Sequence, residues 1–202
     1  MKIVLTGDKG GVGKTTIAIL SAEWLLAQSY TVKLIDSDPN RSLQTWVDKC
    51  EETGYTVSTP NADITIVDTA GTSGAGASHI ADAELIIAPF KPHTGDLEVV
   101  IGWFVNLRET RQERVVFVPN EWANTKEQRA CMREIEATIE EEGRGRLVSG
   151  LFYRPAAYGG LLDGRKGNVF LTTFEGFDQK ARLEVEALFG AIMGNALPMA
   201  AE

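Results

Sequence analysis

Apolar positions along this chain fall into two rhythms. Short unbroken runs at Ile3–Leu5, Val32–Ile35, Ile64–Val67, Leu85–Ala88 and Val115–Val118 read as strands buried on both faces, because a parallel sheet covered by helices leaves no solvent side for polar residues. Between them, apolar residues recur three or four apart over residues 15–28, 41–52, 95–108, 125–142 and 178–193, the period of a helix with one face inward. A sixth strand is expected over Leu147–Phe152. Strands alternating with helices predict an α/β fold with a mostly parallel central sheet flanked by helices on both faces. There is no internal repeat, low-complexity tract or interdomain linker, so residues 1–202 are expected to form a single domain, with 196–202 as a frayed tail.

The junction between the first strand and the first helix carries the chemistry. Lys9-Gly10-Gly11-Val12-Gly13-Lys14-Thr15-Thr16 sits in the strand-to-helix context of a phosphate-binding loop. Glycines 10, 11 and 13 let backbone N–H groups converge on phosphate oxygens, and the helix beginning near Lys14 adds its positive end. Lys14 should reach the β and γ phosphates and Thr15 should give its hydroxyl to Mg²⁺, so ATP and Mg²⁺ are the expected cofactors. The ordinary spacing G-x-x-x-x-G-K-[ST] would place a glycine at position 8, where this chain has Asp8. The pattern is instead K-G-G-x-G-K-[ST], the deviant Walker A motif, and it resembles the ParA/MinD family of P-loop ATPases. That resemblance implies a P-loop NTPase fold and closest kinship with small ParA-type partition ATPases. It also implies a catalytic role in trans for Lys9, reaching across an ATP-dependent dimer to the partner's nucleotide. A solvated loop lysine is the alternative for Lys9.

Other strand ends extend the resemblance. Asp36-Ser37-Asp38-Pro39 closes the second strand, where a parallel sheet presents its ligand crevice. It is similar to the family's D-x-D-P segment, which assigns Asp38 to positioning the attacking water and Asp36 to supporting the metal and phosphate region. A turn and helix cap is the other reading of Asp38-Pro39. The third strand delivers Asp68 toward the phosphates as a Walker B aspartate holding Mg²⁺ through water, and Gly71–Gly76 would be the mobile loop that senses the γ-phosphate. The segment Ala81–Pro92 is similar to the family's approach to and exit from the fourth strand. Asn120, after the fifth strand, matches the place where relatives set an asparagine against adenine, with loop capping as the alternative. Phe152–Tyr158 looks like a late family segment that holds the base and helps form the dimer. The connection Glu52–Asp63 leaves no room for the additional helical element many relatives carry. No room for a DNA-reading helix-turn-helix precedes the P-loop, so site-specific DNA recognition is expected to need a separate adaptor.

Composition narrows the partners. With 20 basic and 28 acidic side chains the net charge is −8, which argues against nucleic-acid binding through overall charge. Residues 143–182 are nonetheless locally basic, and Arg144, Arg146, Arg165 and Lys166 are candidate contacts for non-specific DNA, with solvated loop charges as the alternative. Cys50 and Cys131 are expected to be free thiols without metal-like spacing, and His79 and His93 to be isolated loop or surface residues. No apolar run reaches the ~18 residues that span a bilayer, so stable membrane insertion is not expected. The sequence reads as cytoplasmic and, through DNA, nucleoid-associated.

The expected function is that of a ParA-type ATPase: a homodimer with ATP that binds DNA and positions a plasmid, a chromosome or another large cargo, with hydrolysis stimulated by a ParB-like adaptor or activator protein. Two alternatives are a MinD-like membrane-associated spatial regulator and a metabolic or assembly ATPase of the same superfamily. The first needs a basic amphipathic C-terminal helix, whereas Leu183–Met193 carries glutamates and no lysine or arginine and reads as a core-docked helix.

Overall fold

The computed structural model describes residues 1–72, 76–154, 158 and 179–194. Along the chain run β1 (Lys2–Leu5), α1 (Lys14–Ala27), β2 (Val32–Ser37), α2 (Ser42–Glu52), β3 (Ile64–Thr69), β4 (Leu85–Phe90), α3 (Thr94–Val105), the single turn α4 (Glu109–Gln112), β5 (Val115–Pro119), α5 (Lys126–Glu142), β6 (Arg146–Leu147) and α6 (Gln179–Met193). The six strands form one parallel sheet in the order β2-β3-β1-β4-β5-β6.

Side-chain alternation in the short runs divides the core into two layers. Ile3 and Leu5 of β1, Leu85 and Ile87 of β4, and Val116 and Val118 of β5 join one layer with α1, α2 and α6. Val4, Ile86, Ala88, Phe90, Val115 and Phe117 point the other way, into a layer with α3 and α5. Phe117 meets Phe104 of α3 edge-on at 5.0 Å between ring centroids, an arrangement favoured by the ring quadrupoles. Lying between the sheet and α6, α1 is buried through Ile17–Leu25 except for no more than a sliver of Trp24, whose ring is 6.1 Å from that of Phe189. The C-terminal helix is therefore docked on the core: Val185, Leu188, Phe189 and Ile192 are all buried.

A local rule explains where α5 starts. At α5, Thr125 Oγ1 accepts the Gln128 N–H at 3.2 Å, and the Gln128 side chain accepts from the Thr125 N–H in return, a reciprocal capping box. One expectation is corrected, and one element lies outside the pattern. The sixth strand is Arg146–Leu147 in place of Leu147–Phe152, because Gly150 presses against Pro119 so closely that a Cβ would collide with its carbonyl. The chain turns there and, among the described residues, regains one bridge, between Phe152 and Trp122. The helix α4 is not foreshadowed by the pattern, because its Glu-Thr-Arg-Gln sequence has no apolar period. Glu52–Asp63 contains no further helix beyond the end of α2. Residues 73–75, 155–157, 159–178 and 195–202 lie outside the described residues, and with them Arg165, Lys166, the middle of the Gly71–Gly76 loop, part of Phe152–Tyr158 and the expected tail. No helix among the described residues is long and apolar enough to cross a membrane.

Candidate nucleotide site

The carboxyl ends of β1, β2 and β3 converge on a cleft of about 680 Å³ bordered by Gly13, Lys14, Thr15, Asp38, Gly71 and Asn120. The strand order reverses beside β1, and open parallel sheets bind ligands at such a point. Between β1 and α1 the backbone takes a run of positive φ values: Asp8 at 50°, Gly11 at 73° and Gly13 at 97°. Asp8 thus adopts the left-handed conformation itself, which a short polar side chain tolerates better than a branched one. Gly13 ends the loop as the N-cap of α1 and offers no side chain to its first N–H groups. Those donors, with the positive end of the helix, make a ready anion site.

Two neighbours fix the loop's shape. Asn120, 8% exposed, donates from Nδ2 to the Val12 carbonyl at 2.9 Å, and its amide leaves no space for a Cβ on Gly13. The residue expected at the base thus commits the donating end of its amide to the P-loop backbone. On the other side Gly71 abuts Gly10, where a Cβ would lie 2.7 Å from the Lys9 carbonyl carbon. The loop after β3 therefore begins in direct contact with the P-loop.

Charge is concentrated inside this frame. Lys14 is 6% exposed and its Nζ donates to the Lys9 carbonyl at 2.5 Å. Burial lowers its pKa, against the pull of Asp68, Asp38 and Asp8. Thr15 Oγ1 donates to Asp68 Oδ2 at 2.6 Å. Asp68 is 1% exposed, and burial is the main reason its pKa rises to about 6, with the Thr15 hydrogen bond opposing and the carboxylate of Asp36 adding to the rise. Asp36 and Asp68 are register partners on adjacent strands. The second oxygen of Asp68, Oδ1, is buried without a hydrogen-bond partner. A buried carboxylate with one orphaned oxygen, next to a threonine hydroxyl at a helix start, is the donor set that a hydrated Mg²⁺ uses. These residues fit the ion.

Asp36 joins two elements behind the cleft. Its Oδ1 accepts the Asp38 N–H and its Oδ2 the Gln44 N–H, both at 2.9 Å, so it ties the end of β2 to the first turn of α2. Asp38 Oδ1 accepts the Asn40 N–H at 2.9 Å, which turns the chain and leaves the carboxylate at the cleft border. Lys9 Nζ is 3.2 Å from Asp96 Oδ1.

Of the expected DNA contacts, Arg144 and Arg146 are among the described residues, and both are engaged within the chain. Arg144 pairs with Glu109 at 2.8 Å and donates to the Glu142 carbonyl. Arg146 donates to the Ala191 and Ile192 carbonyls at the end of α6, where a cation complements the helix dipole, and burial lowers its pKa. His79, isolated in the sequence, is not isolated in the fold: its Nε2 lies 3.0 Å from Ser37 Oγ. A contact across 42 positions leaves no periodic signal. Glu184 is a second anchor without a sequence signal: it pairs with Arg154 at 3.0 Å and accepts from the Tyr158 hydroxyl at 2.9 Å.

Comparison with known proteins identifies the family and the fold. The family described as the CobQ/CobB/MinD/ParA nucleotide binding domain matches residues 3–158. A curated relative, Protein ParA of Rhizobium radiobacter, is 29% identical over 117 residues, covering 50% of this chain and 52% of that protein. The match thus spans about half the length of the relative. Among solved structures, a plasmid partition protein of Borrelia burgdorferi bound to AMPPNP superimposes with a TM-score of 0.72 at 15% identity, covering 96% of this chain and 98% of that one. An ATP complex of a Cyanothece McdA variant gives a TM-score of 0.71 at 14% identity, covering 100% and 98%. At those identities the structures establish the shared fold. With the family's motif region matched and its P-loop in place, this chain belongs to the ParA/MinD family of deviant Walker A P-loop ATPases.

Proposed function

We propose that this protein is a ParA-type ATPase that forms a sandwich dimer with ATP and Mg²⁺, rides on non-specific DNA, and positions a plasmid, chromosome or other large cargo. The observation that carries the reading is the division of labour between two lysines. Lys14 is buried at the start of α1, while Lys9 stands at the loop's entrance with its side chain 39% exposed, suited to a phosphate group brought by a second copy.

In the proposed cycle the α1 N–H groups and Lys14 hold the β and γ phosphates. Thr15 and Asp68 hold hydrated Mg²⁺, with Asp36 supporting them through the backbone of β2 and α2. The ion supplies neutralisation of phosphate charge. Asp38 orients water toward the γ-phosphorus, and hydrolysis releases phosphate and leaves ADP. Phosphoryl transfer depends chiefly on positioning and charge stabilisation, so a carboxylate that only orients water implies slow basal turnover and a role for a ParB-like activator. The names of the relatives, ParA and a plasmid partition protein, support a partition role. Because Arg144 and Arg146 are engaged within the chain, the DNA grip is assigned to Arg165 and Lys166, contributed by both copies of the dimer.

The test is DNA retention by the Asp38→Ala variant with ATP and Mg²⁺ over a range of salt, with Lys9→Ala as control and Arg165→Glu/Lys166→Glu as the charge reversal. Retention that needs ATP and Lys9, falls steeply with salt and disappears on charge reversal supports the reading. An ATP dimer that ignores DNA would remove the nucleoid from it.

A further inference from the structure

The turn following β3 carries a histidine that the nucleotide site does not use. The Gly76 carbonyl accepts the His79 and Ile80 N–H groups, each at 3.0 Å. Gly76 lies so close to the Thr6 side chain that a Cβ would sit 3.0 Å from that residue's own Cβ. Ile80, 3% exposed, is built into the apolar layer on the α3 side. Gly76 and Ile80 thus anchor the turn to the sheet, leaving the half-buried His79 imidazole held against the end of β2 with Nε2 3.0 Å from Ser37 Oγ.

Ser37 stands between Asp36 and Asp38. It is the last residue of β2, in register with Thr69 of β3, and the next residue is Asp38. From there the chain is governed by short side-chain to backbone bonds, Asp38 N–H to Asp36 and Asn40 N–H to Asp38. A side chain that fixes Ser37 therefore fixes the base from which the Asp38 carboxylate projects. A histidine is well suited to such a bond, since its ring is rigid, only two torsions need ordering, and the contact is part-shielded from water.

We propose that His79 is a positioning residue for hydrolysis: by bonding Ser37 it clamps the Asp36–Asn40 segment to the turn after β3 and so holds Asp38 where it meets the attacking water. The hydrolytic consequence rests on the ATPase reading, whereas the clamp itself does not. Small misplacements of a positioning group lower the chemical step without altering ground-state binding, and that is the expected pattern.

Two measurements on the full chain decide it. In ATPase assays, His79→Ala is expected to lower kcat by about fivefold or more with KM for ATP changed by less than about twofold. Ser37→Ala should reproduce the loss, the double variant should be no worse than either single one because the pair acts as a unit, and His79→Gln, which keeps a polar atom within reach, should recover much of the rate. In hydrogen–deuterium exchange without nucleotide, the Asp38 and Asn40 amides should exchange faster in His79→Ala than in the unaltered chain. Unaltered kcat in His79→Ala, or losses that multiply in the double variant, would overturn the positioning role with the ATPase reading intact. A native chain that hydrolyses no ATP would sink that reading and the positioning role together. The exchange result would then judge the clamp alone: faster exchange upholds it, equal exchange refutes it.

Discussion

Lys9 Nζ and Asp96 Oδ1 are 3.2 Å apart, so the lysine assigned to the partner's nucleotide is held by its own chain at the first turn of α3. Asp96 there also complements the helix dipole. An ion pair this exposed is worth at most ~1 kcal/mol, a restraint that phosphate charge would overcome.

Asp96→Asn should therefore free Lys9 without disturbing the cleft. ATP affinity of the monomer is expected to be unchanged, and the ATP-dependent dimer, which releases two such pairs, to tighten by no more than about thirtyfold. Sedimentation with ATP measures both species, and a weaker dimer would mean that Asp96 supports the assembled state instead.

Gly13→Ala tests how tightly the P-loop is framed. The added methyl meets both a φ of 97° and the Asn120 amide. Left-handed strain of about 1–2 kcal/mol, together with loss of a hydrogen bond worth ~1 kcal/mol, should weaken nucleotide binding by about two orders of magnitude. Asn120→Ala removes only the bond and should weaken it by about fivefold. Calorimetric titration with ATP separates the two, and equal losses would contradict the strain argument.

Asp68 makes a prediction in pH. Its folded pKa is raised from 3.8 to about 6, so in the acid range the folded chain holds a proton that the unfolded chain releases. The sign follows from linkage: its contribution is fully present below pH 3.8 and is lost as pH rises through about 6. Without nucleotide or Mg²⁺, Asp68→Asn is expected to be more stable than the native chain at pH 7 and to lack that part of the pH slope. Denaturant melts at pH 4 and pH 7 check this. In the same variant, Mg²⁺ should no longer strengthen ATP binding.

Cys50 is fully buried, and burial, with Glu23 and Glu51 adding to it, pushes its thiol up to about 12. A protonated, inaccessible thiol is a poor nucleophile. Iodoacetamide at pH 8 should leave Cys50 unmodified in the folded chain and label it in denaturant. Mass spectrometry of the Cys50 peptide reads the outcome, and rapid native labelling would place it in a locally opening region.

Much of this architecture is legible in the sequence because the short apolar runs carry two signals together. Ile3, Val4 and Leu5 announce a strand by continuity, and their alternation decides which layer each enters. The P-loop is readable by spacing because adjacent residues build it. What escapes such reading are relations between distant segments. Arg144 and Arg146 sit in a glycine-rich stretch that composition reads as solvated, yet Glu109 and the end of α6 claim them. Asp36 and Asn120 stand out in the sequence as candidates, but their backbone partners, the Gln44 N–H and the Val12 carbonyl, belong to no side-chain pattern. The bond between His79 and Ser37 depends on where a turn comes to rest, which no local propensity encodes.

The Asn120 bond to Val12 has a kinetic consequence. A cradle whose width is set by the end of a core strand does not need to be organised by its ligand, so little ordering entropy is lost when phosphate arrives. Capture should then be fast, with occupancy decided by how quickly the nucleotide departs. Such a loop is a poor timer. Any timing of turnover would then be set by the segments around it, where Gly71 touches Gly10 and Asp38 borders the cleft.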